Sequence, residues 1–139
     1  GARTLSDGGR ARGLASDYII SGCQVRGSAA ARKHDCLLAV MNIEYAGDRA
    51  GTPRLQLFGP RGFIGEKPLG EYAPLACRHL LLSQLFPDLQ TEPAQPLTAR
   101  LVDEKAMMVV SALHIDYERR DVAMDHGSDR HSTYLDYGC

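Results

Sequence analysis

Histidine and carboxylate crowd the end of this chain, at His114, Asp116, Asp125, His126, Asp129 and His131. Imidazole and carboxylate together suit zinc or another transition metal. His126 and His131 are five residues apart, so they do not share a helical face as residues four apart would. No H-E-x-x-H pattern is present. The segment reads either as a solvated polar tail or as the ligand set of a small metal-dependent hydrolase. Nucleophile and phosphate motifs are absent. G-x-S-x-G is absent: Ser28 follows Gly27 directly, and Ala30 is not glycine. Gly59-Pro60-Arg61-Gly62-Phe63-Ile64-Gly65 lacks the Lys-Ser pair of a phosphate loop, although Arg61 and free backbone N–H groups could hold an anion. The four cysteines, Cys23, Cys36, Cys77 and Cys139, form no C-x-x-C pair. Cys36 and Cys77 lie in apolar surroundings and read as buried thiols. No bound metal or cofactor is expected on these grounds, and no catalytic residue is assigned.

Charge narrows the partners. The chain has 139 residues and a formal net charge of −1, which argues against duplex DNA or an anionic membrane. The charge is uneven. Residues 1–33 carry +4 from Arg3, Arg10, Arg12, Arg26, Arg32 and Lys33 against Asp7 and Asp17. Residues 116–139 carry −3. No apolar run approaches the ~18 residues of a membrane span, and no signal peptide is visible. A cytoplasmic or nuclear location is expected over secretion.

Five segments are expected as strands: Tyr18–Val25, Cys36–Tyr45, Arg54–Phe58, Leu97–Val102 and Met107–Tyr117. The second and third are expected to pair as one hairpin, and the last two as another. Gly59 to Gly70 reads as a loop, because Gly59, Pro60, Gly62, Gly65, Pro68 and Gly70 punctuate it. Pro74 to Phe86 predicts a helix, with Pro74 suited to its first turn and Pro87 stopping it. That helix is apolar on nearly every side and is expected to be buried or covered by a partner. Residues 1–16 read as a flexible arm, 17–118 as one domain, and 119–139 as an acidic tail, with one docked piece at Tyr134 to Tyr137.

The resulting order, three strands, a helix and two strands, is similar to that of the oligonucleotide-binding (OB) barrels. The resemblance implies an α+β fold: a small, mainly antiparallel β-barrel or half-barrel, with one apolar helix between the third and fourth strands. It also implies a binding surface for single-stranded nucleic acid, for which Arg54, Arg61, Phe63 and Tyr45 are the candidates. A second likeness is to the Nudix box. Gly65 and Glu71 have the family's separation, but its arginine position is His79 and its metal-binding glutamate positions are Leu80, Ser83 and Gln84. That resembles a catalytically degenerate Nudix-like domain, without carboxylates to hold a divalent ion. The function expected from the sequence is a non-catalytic binding module. Its partner would be single-stranded nucleic acid or protein, the latter, or a second copy, meeting Leu75, Leu82 and Phe86.

Overall fold

The computed structural model describes residues 13–89 and 96–129. They form β1 (Ser16–Cys23), β2 (Arg26–Ser28), β3 (Ala31–Asn42), β4 (Arg54–Gly59), β5 (Gly62–Pro68) and β6 (Cys77–Leu81), then α1 (Leu82–Leu85). The strands β7 (Leu97–Asp103), β8 (Met108–Asp116), β9 (Asp121–His126) and β10 (Ser128–Asp129) follow. The product is a small, β-rich α+β fold of antiparallel sheets with little helix.

Sheet A has the order β10-β1-β7-β4-β5. Sheet B has the order β2-β3-β8-β9, and β6 lies along the same edge of β3 as β2. Alternation along the strands explains why the sheets face each other. Ile20, Leu55, Leu57, Leu97, Ala99 and Leu101 of sheet A share one buried cluster with Cys36, Leu38, Val40, Met108, Val110 and Ala112 of sheet B. The sheets are not closed into a barrel, which departs from the expected OB-like closure.

All five expected strands exist, but their pairing differs. β3 and β4 lie in different sheets, as do β7 and β8, so neither expected hairpin forms. The connections cross between layers, because both members of each pair need the same core rather than each other. The hairpins that do form are β2–β3, β4–β5, closed at Gly59↔Gly62, and β8–β9. Gly62 takes φ 112 at the tip of β4–β5, a conformation only glycine adopts cheaply.

The expected helix over 74–86 shrinks to Leu82–Leu85. Residues 77–81 instead run as β6 along β3, from Leu37↔Leu81 to Met41↔Cys77. The backbone of β3 offers a row of donors and acceptors there, and an apolar segment that satisfies them is worth more as a strand. Leu75, at φ 67, breaks any helix before it starts. The stretch taken for a loop after Gly59 contains β5, and the segment taken for a tail after residue 118 supplies β9 and β10. Tyr134 to Tyr137 lie outside the described residues.

Buried polar groups close the loops. Asp103 accepts from Thr52 N and Ala106 N, Ser16 Oγ bridges Ala106 O and Met108 N, and Asn42 Nδ2 donates to Arg49 O and Tyr72 O. These contacts are structural: each polar atom is spent on backbone.

Candidate functional site

The outward faces of the two sheets differ. Sheet A mostly follows the usual rule of polar residues outward, with apolar Ile19, Phe58 and Phe63 among the polar residues. Arg54, Gln56, Glu66, Thr98 and Arg100 cover it, and Arg100 Nε and Nη2 each reach a carboxylate oxygen of buried Asp17 at 2.8 Å. Arg54 is paired with Glu104 at 2.7 Å. Sheet B breaks the rule. Residues directly opposite one another across a ladder share a face. The register therefore sets Leu81 beside Leu37, Leu37 beside Leu113, and Leu113 beside Met124. Ile115 lies beside Val122 and Met41 beside Val109 in the same way. Leu37, Ala39, His79, Ser111, Leu113 and Met124 line one shallow groove on this face. Met124 is 78% exposed and Val122 is 56% exposed. The carboxylate on this face, Asp35, is buried and engaged by Cys36 N, Ser83 N and the Ser83 hydroxyl.

A second constellation lies between the sheets at one end of the core. Cys36 and His114 are directly opposite one another on the inward face of sheet B. Cys23 reaches the same point from sheet A. A register shift between Ile20 and Cys23, with Gly22 at φ 75, turns Cys23 onto the inward face that Ile20 already occupies. The Cys36 thiol donates to Cys23 Sγ at 3.8 Å, and Cys36 Sγ lies 3.9 Å from His114 Nδ1. The other ring nitrogen, Nε2, faces Asp125 Oδ2 at 3.9 Å. The contact with Cys23 and burial push the Cys36 thiol far above its ordinary range. Beyond His114, His34 and Asp116 pair at 3.3 Å in a cleft that Gln24 and Asp121 also line. The Asp116 carboxyl is held below its usual range, first by the backbone N–H of Arg119 and then by His34.

The residues expected to bind nucleic acid are spread out. Arg61 and Phe63 sit at the β4–β5 tip, where Phe63 meets Phe58 edge to face at 5.6 Å. Arg54 begins β4, roughly 16 Å away at ~3.3 Å per residue. Tyr45 follows β3 and is 84% exposed. Among the residues expected at a helical interface, Leu82 and Phe86 are buried in the chain's own core and Leu75 alone is exposed. The one-turn α1 begins at Leu82 and ends before Phe86, and Leu75 lies outside it, so no helical face presents the three together. The His/Asp group divides. His114, Asp116 and Asp125 face inward, His126 pairs with outward-facing Ser111, and His131 lies outside the described residues. Cys77, expected to be buried, is exposed, whereas Cys23 joins Cys36 in the core. The Nudix-like spacing runs from β5 through β6, and only its last positions, Ser83 and Gln84, fall in the one-turn α1.

No protein-family model and no curated protein matches this chain. Among solved structures, the crystal structure of Thermotoga maritima 1070 superposes with a TM-score of 0.56 at 18% identity, covering 82% of this chain and 93% of that one. The likeness is one of fold. Among the described residues, no helix is long and apolar enough to cross a membrane.

Proposed function

We propose that this protein is a non-catalytic interaction module that docks polypeptide on the outward face of sheet B, and that a second copy of the chain covers that face. The observation that carries this reading is the near absence of charge there, across β6, β3, β8 and β9. Four strands ~4.8 Å apart and seven residues at ~3.3 Å each give a face roughly 20 Å on a side. Monomeric proteins rarely leave a contiguous apolar patch larger than a few hundred Å² open to water. Nucleic acid is a poor occupant, because the middle of the face, from Leu37 to Met41 on β3 and from Val109 to Leu113 on β8, carries neither lysine nor arginine to neutralise phosphates, and Lys33 stands only at its end. A second copy is a good one, because an uncharged face opposes no like charges when packed on itself about a two-fold axis. It is also present wherever the chain is, so the face never needs to meet water.

The test places a photo-activated cross-linking side chain at Met124 of the purified protein. Cross-links between copies at Leu37, Leu113 or Val122 are the expected result. Light that yields only monomer at concentrations well above micromolar would reject the self-association.

A further inference from the structure

We infer that Cys23, Cys36 and His114 form a three-ligand binding site for a zinc-class cation, with Asp125 orienting the imidazole from behind. The ligand atoms of the three residues lie within 4.8 Å of one another. Geometry supports more than proximity. Zinc–sulfur bonds of ~2.3 Å at tetrahedral angles set two thiolates about 3.8 Å apart, and a thiolate and an imidazole nitrogen about 3.6 Å apart. The distances here are 3.8 Å between the sulfurs and 3.9 Å from Cys36 Sγ to His114 Nδ1. Small side-chain rotations close the difference.

The chemistry of the donors fits as well. Two sulfurs and an imidazole select zinc or another thiophilic ion over calcium or magnesium, which take oxygen ligands. Coordination through Nδ1 leaves the proton on Nε2, the nitrogen that faces Asp125. A carboxylate behind a ligating histidine is the usual device for fixing that tautomer. Three protein ligands leave a fourth position for water, and His114 also lines the cleft through which water enters. Binding would convert two thiols to thiolates, release two protons to solvent and change no oxidation state. It would also tie sheet A to sheet B, because Cys23 comes from β1 while Cys36 and His114 come from β3 and β8.

The fold makes this arrangement deliberately. Regular alternation after Ile20 would turn Cys23 outward, and the irregularity at Gly22 reverses that. A core that only needed filling would be served by an uninterrupted strand.

The experiment is metal titration of the full chain, purified under reducing conditions and freed of metal by a chelator. One equivalent of Zn²⁺ should bind, and one equivalent of Co²⁺ should give a thiolate-to-cobalt charge-transfer band with intense visible bands of four-coordinate geometry. Zinc should displace that spectrum. Cys36→Ser should cut the thiolate band by half or more and the Cys23→Ser, Cys36→Ser double variant should abolish it, while Asp125→Asn should weaken zinc binding by ~10–100-fold. Cys77→Ser should leave both unchanged. The assignment is overturned if the wild-type chain shows no thiolate–cobalt band, or if Cys77→Ser removes it. It is equally overturned if mass spectrometry of the chain isolated without reductant shows that Cys23 and Cys36 form a disulfide that reduction does not convert into a metal site. The wild-type spectrum decides the matter even where a variant fails to fold.

Discussion

Replacing Arg100 with methionine tests whether sheet A is closed on its outward side by its own side chains. Asp17 is fully buried, and both of its carboxylate oxygens are held by Arg100 at 2.8 Å, in the two-pronged geometry that makes such pairs strong. Gln56 Oε1 adds a longer contact to Nη1 at 3.4 Å. The pair latches β1 to β7 beside the backbone ladder that already joins them. Removing one member of a buried ion pair costs about 3–5 kcal/mol, because the remaining charge stays desolvated. Arg100 is 21% exposed, so water recovers part of the loss, and about 3 kcal/mol is the expected figure. That is a large share of the ~5–15 kcal/mol that holds a domain together. It corresponds to a fall in Tm of roughly 10 °C for a chain of this size. Urea denaturation followed by circular dichroism measures it. The double variant Asp17→Leu, Arg100→Met should recover most of the stability, since two apolar groups need no partner. A loss below about 1 kcal/mol for Arg100→Met alone would refute the argument that Asp17 depends on this guanidinium.

Two other substitutions probe the backbone and the core. Leu75 sits at φ 67 and is 53% exposed, so Leu75→Gly should stabilise the fold by about 1 kcal/mol, read as a shift in the urea midpoint at constant slope. A destabilised variant would show that Leu75 is held there by contacts worth more than the strain. Tyr72 has a buried hydroxyl, and burial raises its pKa despite the Arg78 guanidinium stacked over its ring at 4.2 Å. The unfolded chain therefore ionises this phenol above about pH 10 while the folded chain does not, and stability falls as pH rises from there. Tyr72→Phe should remove that alkaline loss and leave neutral-pH stability nearly unchanged. An unaltered alkaline profile would assign the loss to other groups.

The sequence carried the strands better than it carried their partners. Alternation at Leu97–Val102 and Met107–Tyr117 marked two strands correctly, because a half-buried sheet demands that pattern. Alternation is silent about which sheet a strand joins, and the four-residue connection between β7 and β8 could either turn a hairpin or cross between layers. The run Cys77–Phe86 misled for a related reason. Its outward residues, Cys77, His79 and Leu81, lie on the apolar face of sheet B, while on the other side Leu80 and Leu82 pack on the core and Arg78 reaches the backbone of Leu69 and Glu71. With leucines on both sides from Leu80 to Leu82, no period distinguishes strand from helix. That same property, an outward face without charge, became the candidate binding surface once the register was known. The thiol–imidazole cluster was illegible because its members stand at positions 23, 36 and 114 and meet only across the two sheets. The one local sign was Gly22, which interrupts a strand just before a cysteine.

The solution mass of the wild-type chain, followed by sedimentation across a wide range of concentrations, tests the central claim most directly. A face of sheet B covered by a second copy predicts twice the mass of one chain, with Leu113→Lys giving a folded single chain. A wild-type protein that sediments as one chain at every concentration, with Leu113→Lys indistinguishable from it, would contradict the account.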